Sequence, residues 1–171
     1  MVETRTDQAA KDKVFELIRE VQVATLVTHA EGGRMRGRPM RAVKLKQFDG
    51  TLWFFTSYPS PKTEEIADDS HVLLAYADPS SQNYVSIAGT ARVMRDVEKQ
   101  KELWSEPLRA WFPNGPEDAR AGLLKVEVEG AEYWDAPSST LIHAYGYLKA
   151  ITTGQPPSSG DNDKVAFKRP A

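Results

Sequence analysis

Apolar positions change their spacing along the chain, and the change divides it into elements. Val14, Leu17, Ile18 and Val21 fall at helical intervals behind Asp7, a good cap, so residues 7 to 20 predict an amphipathic opening helix. The texture then shifts to short runs rich in Val, Thr and aromatics: VATLVTHAEGG (23–33), MRGRPMRAVKLK (35–46) and TLWFFTS (51–57). Gly-Gly and Asp-Gly separate them, which is the language of antiparallel hairpins. A short helix near 61–69 precedes two further strands, HVLLAYAD (71–78) and YVSIAGTARVM (84–94), around an Asp-Pro-Ser-Ser turn. Gly89 inside the second predicts a bulge or a close approach of backbone.

Residues 96–112 read as helical with a break at Pro107, and PNGPEDARAG as a loop. Leu124, Val126 and Val128 alternate with Lys125, Glu127 and Glu129, giving a sixth strand that continues through AEYWD. Leu141, Tyr145 and Leu148 predict a C-terminal helix, and the polar stretch 153–171 a mobile tail docking at most through Val165 and Phe167. The expected architecture is one domain over residues 1–152 with a helix at each end. It is mainly β with flanking helices (α+β): six antiparallel strands closing or half-closing into a small barrel.

Composition narrows the function classes. A length of 171 residues supports one good core. A net charge of −2 gives no global attraction to nucleic acid or membrane, so a basic site must be local. With no cysteine there are no disulfides, thiolate metal sites or thiol nucleophiles. The charged start of the chain lacks an apolar signal core, and no window is apolar for long enough to span a bilayer, so the expected location is cytoplasmic. His29, His71 and His143 lack metal-ligand spacing. Glu64, Glu65, Asp68 and Asp69 read as a solvated helix face favoured by the dipole.

One local basic site does stand out. Residues 34–46 hold six cations, Arg34, Arg36, Arg38, Arg41, Lys44 and Lys46, and no acid. Arg34, Arg36 and Arg38 share a strand face; an irregularity at Pro39 would place Arg41 with Val43 and Leu45, partly buried and in need of an anion. Ser60 is a good N-cap and Pro61 suits the first helical position. Lys62 then stands in the first turn, beside the positive end of the dipole, at a cost of about 0.3 to 1 kcal/mol. A phosphate held by Lys62, the first-turn N–H groups, hydroxyls of Thr56 or Ser57, and Arg41 removes that conflict. The plainer alternatives are a solvated lysine and a basic edge strand protected against aggregation.

The collinear run RAVKLKQFDGTLWFFTS, SPKTEEIADDSHVLLAY and YVSIAGTARV resembles the flavin-binding split-barrel superfamily of the pyridoxamine 5′-phosphate oxidases. TLWFFTSYPSPK, YADPSSQNYVSIAGTA, LRAWFPNGPEDA and LLKVEVEGAEYWD are similar to its bacterial general stress protein branch. The resemblance covers about residues 10–137 and implies a six-stranded split barrel and a homodimer with FMN, or alternatively FAD, at the dimer interface. It places cofactor contacts at Arg41 and Lys46, at Ala42 and Val43 between them, at Phe55, Thr56 and Ser57, and at Ser60 and Lys62. Trp111 reads either as a cover over the flavin from the partner chain or as dimer core.

Departures from the oxidase pattern separate this chain from pyridoxamine phosphate oxidation itself. Pro61 stands where the oxidases carry an arginine, Tyr84 where they carry glutamine, and DNDKVAFKRPA lacks an Arg-x-His segment. The implied activity is that of an FMN-dependent oxidoreductase of unassigned substrate, with a nicotinamide nucleotide as candidate electron donor and with no catalytic side chain assigned. Two alternatives remain: a flavin-storing protein without turnover, and a dimeric module binding a polyanion through the basic strand. No nucleic-acid or membrane partner is expected, because the aromatics are not interleaved with the arginines.

Overall fold

The computed structural model describes residues 4–135 and 161–167. After a two-residue strand β1 (Thr4–Arg5), helix α1 spans Gln8–Val21, its first turn capped by the Asp7 carboxylate, which accepts from the Ala10 N–H at 3.0 Å. Ala10, Val14, Leu17 and Ile18 are buried, so the helical spacing in the sequence marks the face that packs on the sheet. Strands β2 (Val23–Ala30), β3 (Arg34–Arg41) and β4 (Thr51–Ser57) follow, then helix α2 (Pro61–Asp68). Next come β5 (His71–Asp78), β6 (Asn83–Met94), α3 (Val97–Leu103), β7 (Ala121–Asp135) and β8 (Asp161–Ala166).

The sheet runs β1-β8-β7-β6-β5-β2-β3, and β4 pairs with β7. Between β3 and β4 the barrel is split. Among the described residues, only an Ala42–Phe54 bridge and a hydrogen bond from the Val43 N–H to Trp53 O at 2.8 Å span that seam. The six expected strands, β2 to β7, form this half-closed barrel. Its interior is filled by residues such as Leu26, Phe54, Leu74, Ile87 and Val126, all inaccessible to solvent.

Gly89 permits the barrel to bend. The β6–β7 register shifts at Ala88/Gly89, and a Cβ at Gly89 would lie 2.4 Å from the Glu127 carbonyl oxygen. A second apolar cluster of Phe55, Phe112, Ala121 and Leu123 lies on the other side of β4 and β7, beneath α3 and the 3-10 turn Glu106–Ala110. Pro107 falls in that turn, and α3 already ends at Leu103, so the expected helix over 96–112 is two pieces.

Two expectations need correction. Residues 161–167 of the expected mobile tail are ordered: β8 pairs antiparallel with β7 and parallel with β1. Val165 and Phe167 do dock, Val165 at 2% exposure and Phe167 edge-on to Phe48 at 5.4 Å, and alternate ladder positions supply the rest of the attachment. The expected C-terminal helix lies outside the described residues. Strand β3 also contains no irregularity at Pro39, since its register with β2 runs unbroken from Val23–Arg41 to Ala30–Arg34.

Candidate functional site

Strand β4 alternates between the two cores and delivers its last residues to the seam. Leu52, Phe54 and Thr56 are buried on the barrel side. Phe55 enters the second cluster, edge-on to Trp104 at 5.5 Å and tilted against Phe112 at 6.2 Å. Ser57 is exposed at the strand end, and the chain passes through a cis Tyr58–Pro59 bond into α2.

Here the start signal read from Ser60-Pro61 is realised. The Ser60 N–H donates to Thr63 Oγ1 at 2.9 Å, and the Thr63 hydroxyl donates to Ser60 O at 2.7 Å. Lys62 is half-buried in the first turn, and its Nζ donates to Ser60 Oγ at 3.4 Å. It forms no ion pair with any described residue. Burial, and then the charge of Arg38, hold the Lys62 ammonium below its ordinary pKa, while Glu65 works in the opposite direction.

Phe55, Thr56, Ser57, Ser60 and Lys62 thus form one continuous rim. Ala42 and Val43 lie alongside, tied to Phe54 and Trp53, and Val43 also packs on the Phe55 cluster. Arg41 immediately precedes them but is exposed, its Nη1 donating to Gln22 Oε1 at 3.1 Å. The expected burial of Arg41 is therefore overturned. Because the strand stays regular through Pro39, Met40 faces the core opposite Ala24 and Arg41 faces out. Lys46 is exposed in the 42–50 segment, and Trp111 is 68% exposed beside the buried Phe112.

The same regular register puts Arg36 and Arg38 on the barrel side of β3, Arg38 half-buried and Arg36 exposed, which the sequence reading missed. They stand opposite the buried Thr28 and Leu26 and meet Glu65 from α2. Arg36 Nη1 donates to Glu65 Oε1 at 2.7 Å, and Arg38 Nη2 to Oε2 at 2.6 Å; Thr28 Oγ1 donates to Oε2 at 2.6 Å. Glu65 is 8% exposed, so it is not part of a solvated helix face as expected. Burial pushes its carboxyl up, yet the bonds from Thr28, Arg38 and Arg36 outweigh this and hold it below the usual carboxylate range. Just past the end of α2, His29 and His71, remote in sequence, meet on one carboxylate: their Nδ1 atoms lie 2.6 and 2.7 Å from the oxygens of Asp69. Among the described residues no cluster of His, Asp and Glu could hold a metal. Nor is any described helix long and apolar enough to cross a membrane.

A six-stranded barrel open at one seam, with a lysine-bearing helix start at the end of that seam, defines the split-barrel class. The chain belongs to the "Pyridoxamine 5′-phosphate oxidase like" family, whose profile matches residues 9–158. General stress protein 26 of Bacillus subtilis is 29% identical over 139 residues, covering 79% of this chain and 95% of that protein. The chain spans about half, 54%, of the length of another relative, protein bli-3 of Neurospora crassa, at 26% identity over 113 residues, 61% of this chain. Among solved structures, a general stress protein 26 from Jannaschia sp. CCS1 superposes with a TM-score of 0.73 at 23% identity, covering 93% of this chain and 98% of that one. The general stress FMN/FAD binding protein of Xanthomonas citri gives 0.67 at 24% identity, covering 78% and 93%.

Proposed function

We propose that this chain is an FMN-binding protein of the general stress type that works as a homodimer and as a flavin-dependent oxidoreductase. The observation that carries the flavin reading is Lys62: a half-buried ammonium in the first turn of α2, without an ion-pair partner among the described residues and with the Ser60 hydroxyl at 3.4 Å. Such a group is stabilised by an anion, and the donor chemistry of Lys62, Ser57 and Ser60 fits a phosphate. Ala42, Val43 and Phe55 supply an apolar wall and backbone beside it for a planar ring, and Arg41 and Lys46 add exposed positive charge at the same seam. FAD is the alternative ligand, since one of the similar proteins is described as binding FMN or FAD.

The homodimer rests on a second observation. Outward-facing cross-strand neighbours form two rows, Pro39–Thr25–Ala75–Ser86 and Gly37–Val27–Leu73–Ala88, and neither contains a charge. An outer face uncharged across β3, β2, β5 and β6, bordered by Glu132 on β7 beside Ser86, fits a second copy of itself. Trp111, Trp134 and Tyr84 are large exposed aromatics that the same association would cover, with Trp111 assigned to the cofactor side.

When bound, the flavin supplies the hydride and electron chemistry. The protein holds its phosphate, shields one face and sets hydrogen bonds to the ring; no side chain is assigned as general acid or base. The absorption spectrum of the purified protein tests the binding. Flavin bands that disappear in Lys62→Met support it, and a colourless protein that takes up no added FMN refutes it. Anaerobic bleaching by NADH or NADPH, followed by transfer to an added acceptor, tests the redox role; failure with both donors removes nicotinamide nucleotides as the electron source.

A further inference from the structure

The alternation of arginines along β3 has a consequence beyond packing. Arg36 and Arg38 leave the inner face of β3 and are gripped by both oxygens of one buried carboxylate, Glu65. Lys62 stands one turn before Glu65 on the same helix. Three cations are therefore gathered around one acid, an excess of two positive charges; Arg36 reaches into solvent at 56% exposure, whereas Arg38 is only 17% exposed and Lys62 half-buried. Uncompensated charge in such a place is unfavourable unless an anion joins it. A phosphate monoester carries nearly two negative charges at neutral pH, which matches the excess.

Direction along the seam agrees with this count. The Ala42–Phe54 bridge is antiparallel, so β3 followed backward and β4 followed forward run toward the same end, which brings Arg38 to the side of Ser57 and the start of α2. The guanidinium is also free to serve a second acceptor. It has five N–H donors, and its bonds to Thr28 Oγ1 and Glu65 Oε2 use one on each terminal nitrogen.

We propose that Arg38, held in place by Glu65 and Thr28, is a second ligand with Lys62 for a phosphate monoester dianion, and that this pair makes the site select FMN over unphosphorylated riboflavin. The inference rests on the flavin reading above and adds to it a specificity-determining residue. Glu65 and Thr28 act here as positioning residues, since they touch Arg38 and not the ligand.

The test uses the full-length protein freed of bound flavin and titrated with FMN, riboflavin and inorganic phosphate, with flavin fluorescence and calorimetry as readouts. Glu65→Gln is the reference background, so that removing the arginine strands no buried carboxylate, and Arg38→Met is added to it. The expected result is a loss of at least about tenfold in FMN affinity on adding Arg38→Met, with riboflavin affinity within about twofold and an unchanged melting temperature. FMN affinity that does not move, or FMN and riboflavin affinities that fall together, overturns the role of Arg38 and leaves it a structural bolt. Wild-type protein that binds neither flavin refutes the flavin reading itself. If that protein still binds inorganic phosphate and loses it with Arg38→Met, the anion site stands with a different phosphorylated ligand.

Discussion

Arg38 Nη2 and Glu65 Oε2 lie 2.6 Å apart, joining the strand on one side of the barrel's seam to the helix that begins at the seam's end. The pair is bonded to Arg36 and Thr28 as well, so α2 is fixed to the sheet by its middle while its first turn, with Lys62, stays at the rim. Rigidity of the mount and placement of the charge come from the same contact.

Removing the carboxylate should show how much that mount contributes. Glu65→Ala leaves Arg38 without its acceptor in a partly buried place and frees the exposed Arg36; breaking a buried pair costs about 3 to 5 kcal/mol, and the lower end is expected here, read as a lower urea midpoint with unchanged slope. The pH dependence follows from the depressed carboxyl. Its folded-state pKa is below the ordinary 4.5, so its contribution is present above the unfolded value and is lost as pH falls through the folded one. Wild type and Glu65→Gln should therefore converge in stability under acid below that window. A stability gap that stays constant down to the acid limit would refute the ionic role.

Under the proposed flavin reading, Lys62 gives FMN binding a pH dependence of opposite origin. Its ammonium is held below 10.5 in the free protein by burial and by Arg38, and a phosphate dianion raises it again. The complex then binds more protons than the free protein, so affinity falls as pH rises through the window between the depressed value and the higher one in the complex. Titrations across alkaline pH should show this fall in wild type and a flat profile in Lys62→Met, whose affinity is already lower by about 1.5 to 3 kcal/mol from loss of the charged bond.

Most of the fold was legible because its signals are local. The spacing of Val14, Leu17 and Ile18, the Asp7 and Ser60 caps, and the alternation at Leu124–Val128 each depend on a few neighbouring residues. The end of β4 and the capped start of α2, which hold the candidate residues Phe55 to Lys62, were legible for the same reason, being one continuous stretch of chain. What stayed hidden depends on distant partners. Whether Pro39 bends a strand is decided by β2 across from it, and that decision moved Arg41 out and Arg38 in. Glu65 looked like any helix-face acid until the arginines 27 and 29 residues away were placed beside it. The strand at 161–166 was hidden by its polar composition: among its described side chains only Val165 is deeply buried, and the ladder with β7 does the remaining work.

The bulge at Gly89 yields a prediction about the barrel itself. The atom a Cβ would meet at 2.4 Å is a backbone oxygen, that of Glu127, and cannot swing aside as a side-chain tip would. Gly89→Ala must therefore push β6 from β7 at the register shift, at a cost of about 2 to 3 kcal/mol. Gly37→Ala is the informative contrast, because the nearest atom there is a Thr25 methyl at 3.1 Å, which can give way. Equal melting temperatures for the two variants would mean that the bulge is not rigidly set.

The uncharged outer rows make the final prediction, which separates association from folding. Ala75 sits in the middle of one row, beside Thr25 and Ser86, and is half-buried on the outward side of the sheet. In the monomer, the side chain of Ala75→Arg can extend into solvent at little cost; in a dimer it must enter an apolar interface opposite its own symmetry mate, where two like charges repel. Sedimentation should show wild type at twice the monomer mass and Ala75→Arg as a folded monomer with a similar urea midpoint at low protein concentration. If the flavin lies between two copies, the monomer should also lose its colour while Lys62 and Arg38 remain intact. A monomeric variant that stays yellow would place the cofactor wholly within one chain, and a variant that stays dimeric would move the interface off this face.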